Sequence, residues 1–184
     1  EIDLASESAI LIDSKTGTVI YEKNSNKQMY PASTTKVLTA ILTIEKGNLN
    51  DIATVSKTAI EHIPSGYSTA YLSEGEEISV QDLLKTLLIH SANDSANVLA
   101  EYISGSIDSF VELMNQKSQE LGCKNTHFTN TNGIQDENHY STSSDLAIIS
   151  KYCMQNQIFR KIVSMESCTI PATNKFEKRV FRNT

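Results

Sequence analysis

The sequence contains no tryptophan, and only three cysteines and three prolines occur among its 184 residues. Cys123, Cys153 and Cys168 are odd in number and irregularly spaced, so they predict neither a disulfide framework nor a Cys-x-x-Cys metal site. The four histidines also lack a compact ligand spacing, and we expect no metal and no cofactor. No run of eighteen apolar residues occurs, so we expect no membrane-spanning segment.

Basic residues are also fewer than acidic ones. Sixteen lysines and arginines stand against twenty-two acidic residues, which gives a net charge of −6. A diffusely acidic chain argues against a nucleic-acid partner, whose phosphates require a basic surface. The hydrophobic fraction of 39% is that of an ordinary folded domain. The first residues do not resemble a signal peptide, which leaves a cytoplasmic protein and an already processed chain as alternatives.

Hydrophobic patterning predicts an α+β domain with an inserted helical lobe. Residues 8–13 and 18–22 are β-branched runs around a polar turn that ends at Gly17, as in an antiparallel hairpin. Pro31 and a Ser/Thr cluster precede a nearly all-apolar segment that ends at Gly47, which predicts a buried helix. Helical periodicity follows from 79 to 121 and again after Thr142, and the segment 168–181 is weakly extended in character.

Ser33 and Lys36 are the first candidate reactive residues. Three positions apart at a helix start, their side chains share one face of the helix. A serine hydroxyl needs a neighbouring base, and a lysine serves as one when burial lowers its pKa. The bare spacing recurs by chance about once or twice in such a chain, so an N-capping serine beside a solvated lysine is the ordinary interpretation. The apolar surroundings of Lys36 favour the catalytic one.

A second polar element, Ser91-Ala92-Asn93, connects two predicted helices. In an extended connection alternate side chains point the same way, so we expect Ser91 and Asn93 to face one cleft. A hydroxyl can relay a proton, and an amide can bind a carbonyl and a lysine together. An ordinary polar loop with an N-cap is the alternative interpretation.

Together, Tyr30-Pro-Ala-Ser33-Thr-Thr-Lys36 and Leu87-Leu-Ile-His-Ser91-Ala-Asn93 closely resemble motifs of the low-molecular-mass penicillin-binding proteins. These are serine-type D-alanyl-D-alanine carboxypeptidases of the cell wall, and the resemblance runs from about residue 6 to the end. It implies the β-lactamase/transpeptidase-like fold, an antiparallel sheet packed on helices with an all-helical lobe at roughly 56–140.

The resemblance also implies a role for each candidate residue. Ser33 would be the nucleophile and supply one oxyanion N–H, Lys36 would be the general base, and Ser91 would relay a proton. Asn93 would hold the substrate and Lys36. The implied substrates are peptidoglycan stem peptides and the implied inhibitors are β-lactams, which places the protein outside the cytoplasm, secreted or at the outer face of the membrane.

One family element is missing, a Lys-Thr-Gly on a later edge strand. The Lys15-Thr16-Gly17 triplet precedes Ser33 and falls in the predicted hairpin turn, so we reject it. The family motif would follow a segment like 179–184, so we expect 1–184 to be a partial domain without the later strands and closing helix. A truncated chain, a natural fragment and a non-catalytic relative remain alternatives. A second chain or a swapped partner would then complete the sheet, and a membrane tether would lie in a C-terminal segment.

Three other functions compete with this interpretation. A class A β-lactamase would need a Glu-x-x-x-Asn after the Ser91 element, and this spacing is absent. A non-catalytic module that binds peptidoglycan or a β-lactam would fit the missing third motif, but it leaves the four polar candidates unexplained. An unrelated helical protein would require both motifs to be coincidental.

Overall fold

The computed structural model describes residues 4–61 and 63–183, so residues 1–3, His62 and Thr184 lie outside the described residues. Within that range, strands and helices alternate irregularly along the chain. In order they are β1 (Ala9–Ile12), β2 (Val19–Lys23), a 3-10 turn (Ala32–Thr35), α1 (Lys36–Lys46), β3 (Ile52–Thr54), α2 (Lys57–Glu61), β4 (Glu77–Ser79), α3 (Val80–Ile89), α4 (Asn93–Ser104), α5 (Ile107–Glu120), α6 (Ser143–Cys153), α7 (Gln157–Val163), β5 (Ser167–Ile170) and β6 (Arg179–Arg182).

The described strands form three two-stranded antiparallel sheets, β1–β2, β3–β4 and β5–β6. The predicted N-terminal hairpin is confirmed, with a register shift between Leu11 and Ile12. The extended segment near the C-terminus forms the β5–β6 pair. The β3–β4 pair was not predicted, because strands of three residues are too short to show a period of two.

Predicted helix boundaries agree with the structure where a capping residue marks them. The Ser79 and Thr142 side chains accept hydrogen bonds from backbone N–H groups three residues ahead, at the starts of α3 and α6. Gly105 ends α4 in the left-handed conformation, with a φ of 78°. The predicted helix at Ser33 begins instead as a single 3-10 turn, and α1 starts at Lys36.

The hydrophobic core lies between α1, α3 and α4, which contact one another, with α5 packed against α4. Its largest fully buried side chains include Phe110 and Phe128. The interval 56–140 contains α2 to α5 and also strand β4, which pairs with β3 outside it. By contrast, the β1–β2 hairpin leaves Leu11, Val19 and Ile20 about half exposed or more. The helical part of the fold is therefore closed, and the sheet is incomplete in this chain.

One buried ion pair ties the C-terminal hairpin to the helical part. Glu76 is fully buried, and its carboxylate accepts hydrogen bonds from the Arg179 guanidinium and, at 2.9 Å, from the Thr173 hydroxyl. Arg179 also donates to the Ala70 carbonyl at 3.0 Å, and its ring contact is with Phe176. Its Nε is buried without a partner among the described residues.

We expect Arg179→Met to lower the free energy of unfolding by about 3–5 kcal/mol, because it leaves a buried carboxylate without its cation. Urea unfolding at pH 7 measures this, and Glu76→Gln combined with Arg179→Met should recover part of the loss. Lys57→Met, which removes the exposed Lys57–Glu61 pair, is the control and should cost below about 1 kcal/mol. Equal losses of stability in Arg179→Met and Lys57→Met would contradict the prediction that the buried Glu76–Arg179 pair matters more than the exposed one.

Candidate active site

Ser33 and Lys36 lie in contact at the start of α1. Lys36 Nζ is 3.2 Å from Ser33 Oγ and donates a second hydrogen bond to the Asn132 carbonyl at 2.7 Å. Ser33 is exposed, whereas Lys36 is only 2% exposed. The predicted pairing of a reachable hydroxyl with a buried amine is therefore present in the structure. In its neutral form, the amine at this distance can accept the hydroxyl proton.

Burial lowers the pKa of Lys36 to about 8, and the nearby Asp94 carboxylate acts in the opposite direction. An amine in hydrophobic surroundings loses the hydration that stabilises its charged form, which explains the larger effect. A lysine with a pKa near neutrality is a far better proton acceptor under physiological conditions than an exposed one. The electrostatics of the site thus favour Lys36 as a base.

The backbone around Ser33 is held in an unusual conformation. Ala32 has a φ of 49°, in the left-handed region that alanine rarely adopts. Gly133 packs directly on this turn: a Cβ at Gly133 would lie 1.8 Å from the Ala32 carbonyl oxygen. The Ser33 N–H lies in the first turn of this helical segment, where backbone N–H groups have no intrahelical acceptor.

The loop 130–134 is fastened to α1 on the inner side of the site. The Thr39 hydroxyl donates to the Thr131 carbonyl at 2.6 Å, beside the bond from Lys36 to Asn132. Asn130 shapes the turn, since its Oδ1 accepts from the Gly133 N–H at 2.7 Å. Sequence reasoning did not single out these residues. The Asn-x-Asn-Gly pattern, which is typical of tight turns, is the signal that marks them.

Ser91 has a φ of 57°, so the connection between α3 and α4 is not extended there, contrary to the assumption behind its prediction. Its hydroxyl makes no hydrogen bond with any described residue. Asn93 begins α4, and both its backbone N–H and its Nδ2 donate to the Ser68 carbonyl at 2.9 Å. The expected contact between Asn93 and Lys36 is not formed among residues 4–61 and 63–183.

A buried carboxylate holds the segment that Asn93 contacts. Asp94 is 2% exposed and accepts hydrogen bonds from the backbone N–H groups of Ala70 and Leu72, at 2.8–3.1 Å. Between them Tyr71 is exposed and adopts a φ of 58°. Burial raises the pKa of Asp94, and the N–H donors act against this rise. Asp94 therefore fixes segment 68–72 in the position where Ser68 meets Asn93.

His139 is joined to the turn that carries Ser33 by a hydrogen bond with Thr35. It is 1% exposed, and its Nδ1 accepts the Thr129 N–H at 3.0 Å while Nε2 lies 2.8 Å from Thr35 Oγ1. Because Nδ1 accepts, the proton of the neutral ring is on Nε2 and is donated to Thr35. Burial lowers the pKa of His139 to about 4. Thr35 lies directly before Lys36, so this histidine helps to set the position of the lysine.

The structure thus places an exposed serine beside a buried lysine at the start of α1. The model of the D-alanyl-D-alanine carboxypeptidase family, peptidase family S11, matches residues 1–184. The chain belongs to this family.

Curated relatives agree with this assignment. The chain is 42% identical over 163 residues to D-alanyl-D-alanine carboxypeptidase DacF of Bacillus subtilis, a match that covers 88% of this chain and 42% of the relative. It is 37% identical over 150 residues to D-alanyl-D-alanine carboxypeptidase DacC of Escherichia coli, covering 77% and 38% respectively. The chain thus spans about two fifths of the length of these relatives.

Solved structures confirm the predicted fold. A mutant of the Streptomyces K15 DD-transpeptidase superposes with a TM-score of 0.92 at 28% identity, covering all of this chain and 75% of that one. Penicillin-binding protein 5 from Haemophilus influenzae gives 0.89 at 31% identity, covering 100% and 53%. The chain has the fold of the penicillin-binding DD-peptidases. None of the helices in the described range is long and apolar enough to cross a membrane.

We expect Gly133→Ala to slow acylation of Ser33 by penicillin about a hundredfold, because the new methyl group displaces the Ala32–Ser33 backbone by the order of an ångström. Stopped-flow or mass-spectrometric acylation rates measure this. Gly122→Ala is the matched control: it has the same positive φ but no atom within 4 Å of the new methyl group. A rate unchanged in Gly133→Ala, or lowered equally in both variants, would contradict the prediction.

Acid should destabilise the protein through His139. The unfolded chain binds a proton near pH 6.5 and the folded protein only near pH 4, so the stability gained from the neutral ring is lost as the pH falls from about 6.5 to 4. Between pH 7 and pH 5 the loss attributable to His139 should be about 2 kcal/mol.

Urea unfolding at both pH values tests this, with His139→Gln compared with the natural protein. The variant should lose less stability on acidification by about that amount. The exposed His127 offers the comparison: its charge is the smallest of the causes that act on the pKa of His139, so His127→Gln should change the acid sensitivity much less than His139→Gln does. If His139→Gln and the natural protein lose equal stability, His139 is not responsible.

Proposed function

We propose that this chain carries the acylation centre of a serine DD-peptidase that removes the terminal D-alanine of peptidoglycan stem peptides. The observation that carries the proposal is the Lys36 amine, buried, with a pKa of about 8, and 3.2 Å from the exposed Ser33 hydroxyl. Family membership and relatives named D-alanyl-D-alanine carboxypeptidases support it.

In the first step Lys36 accepts the proton of Ser33 as the serine oxygen attacks the carbonyl carbon between the two D-alanines. The Ser33 N–H stabilises the negative charge on the carbonyl oxygen. The peptide C–N bond then breaks, and the leaving amine takes up a proton through Ser91. Free D-alanine departs, and the remaining peptide is held as an ester on Ser33.

In the second step a water molecule hydrolyses this ester, and Ser33 regains its proton. Asn93 Oδ1 accepts no hydrogen bond from the described residues, and this amide oxygen would position the peptide. A β-lactam, whose strained amide mimics the dipeptide, would acylate Ser33 in the same way and leave slowly. The proposed place of action is the cell envelope, outside the cytoplasm, for a secreted or membrane-bound enzyme.

We also propose that residues beyond this chain complete the domain. Residues 1–184 would form part of a transpeptidase-like domain, with roughly 56–140 as its helical lobe and the Lys-Thr-Gly strand supplied by further sequence or by a second chain. A membrane tether would lie in that further sequence. The exposed apolar side of the β1–β2 hairpin supports a larger sheet, since such surfaces are normally covered.

Intact-mass spectrometry before and after incubation with a penicillin tests the proposal. We expect the natural, full-length protein to gain the mass of one penicillin, and Ser33→Ala to gain none. Ser95→Ala, a substitution in the second Ser-Ala-Asn triplet, is the control and should retain the adduct. The rate should fall about tenfold per pH unit below pH 8, as Lys36 becomes protonated, and level off above it.

Absence of an adduct in the full-length protein would contradict the enzyme proposal and favour a non-catalytic binding module. An adduct without release of D-alanine from a peptide would likewise favour the module. Rapid hydrolysis of the penicillin adduct would instead indicate a β-lactamase.

A further inference from the structure

A second asparagine on α4 lies one turn beyond Asn93. Residues four apart on a helix are neighbours on its surface, so Asn93 and Asn97 lie on one side of α4. Asn97 is 8% exposed and makes two hydrogen bonds outside its own helix. Its Nδ2 donates to the Ala59 carbonyl at 2.9 Å, and its Oδ1 accepts from the Thr131 hydroxyl at 2.6 Å. Asn97 therefore joins α4 both to α2 and to the loop 130–134.

Thr131 connects Asn97 to the residue that binds the Lys36 amine. Thr131 is fully buried, and its carbonyl accepts from the Thr39 hydroxyl at 2.6 Å. The next carbonyl along the chain, that of Asn132, accepts from Lys36 Nζ at 2.7 Å. Because the peptide unit between Thr131 and Asn132 is planar and rigid, a shift of Thr131 carries the Asn132 backbone with it. The position of the acceptor at the amine thus depends on the bond that α4 makes with Thr131.

The loop 130–134 lies between Lys36 and an open polar groove. The groove has a volume of about 570 Å³, and its walls include Asn97, Asn130 and Asn132 but not Lys36. Asn132 lines the groove while its carbonyl contacts the amine, and Lys36 is only 2% exposed. Water in the groove would therefore reach the amine if the loop moved.

Few charged groups act on the Lys36 amine. From α4 the charged group is Asp94, which raises the pKa of Lys36 against the larger effect of burial. The loop itself carries no charged residue. His139, on the side of the 3-10 turn, is neutral above about pH 4. Lys117 of α5 is paired with Glu45, more than two turns further along α1. The hydration of the amine, which the loop controls, therefore has a large influence on its proton affinity.

We propose that Asn97 and Thr131 form a positioning pair, which holds the Asn132 carbonyl on the Lys36 amine and keeps the water of the groove away from it. Neither residue of the pair touches the substrate, and both act through Lys36. Without the pair the amine is partly rehydrated, and its pKa rises from about 8 part of the way to the ordinary value of 10.5. This inference rests on the proposed function, and it adds the contacts that keep the base easy to deprotonate.

The pH dependence of penicillin acylation in the full-length protein tests the pair. Thr131→Val removes the hydroxyl and keeps the shape of the side chain. We expect the inflection of the acylation rate to lie about one pH unit higher in this variant, and the rate at pH 7 to be about tenfold lower. At pH 10 the rate should be within about twofold of that of the natural protein, because the amine is then neutral in both. A change that merely misplaced Ser33 would lower the rate at every pH and leave the inflection where it is.

Three further variants show whether the bond itself is responsible. Thr131→Ser keeps a hydroxyl and should keep the natural inflection. Asn97→Ala removes the other half of the bond and should move the inflection as Thr131→Val does, and the two changes together should add little to either alone. Ser95→Ala is the matched control, since Ser95 is a buried hydroxyl of α4 that bonds to Thr86 on α3 at 2.8 Å. This variant should keep the natural inflection.

An inflection that is unchanged in Thr131→Val or in Asn97→Ala, or that Ser95→Ala moves equally, would overturn the positioning pair. Penicillin would then still acylate Ser33, so this failure is distinguishable from that of the proposed function. In the latter case the natural protein would form no adduct at any pH, which would overturn both.

Discussion

The site depends on keeping a lysine amine out of water. Burial of Lys36 disfavours its charged form and lowers its pKa to about 8, which is the condition for a base. The same burial would destabilise the fold if the amine had no partner. The Asn132 carbonyl at 2.7 Å and the field of Asp94 supply part of the lost hydration. Lys36 is therefore buried enough for its pKa to be lowered, and its amine still has a hydrogen-bond acceptor.

Several contacts around Lys36 hold the loop 130–134 against α1 and so keep the amine buried. The loop that carries Asn132 is 96 residues from Lys36 in sequence, yet it is joined to α1 by Lys36 and Thr39. Gly133 approaches the Ala32 carbonyl more closely than any side chain would allow, so the loop and the Ser33 turn fit only in this arrangement. The strained φ of Ala32 persists because these contacts over-determine it.

The sequence predicts correctly those features of the structure that depend on local patterns. The spacing of Ser33 and Lys36 and the helix caps at Ser79 and Thr142 are fixed within one turn of chain, and the structure agrees with them. The pairing of Lys36 with Asn132 and the hold of Asp94 on segment 68–72 arise only from tertiary contacts, which no local period reveals. Ser91 was predicted to lie in an extended connection, but its backbone is left-handed, with a φ of 57°.

The helical part and the sheet differ in how completely this chain builds them. The groups around Lys36 come from α1, α4 and the loop 130–134, all anchored in the closed core, so the serine–lysine geometry does not depend on further strands. The β1–β2 hairpin, in contrast, exposes apolar side chains on its surface. The Lys36 amine and the Ser33 hydroxyl are therefore held in position by the helical core, so their proposed roles as base and nucleophile need no rearrangement of this part of the fold.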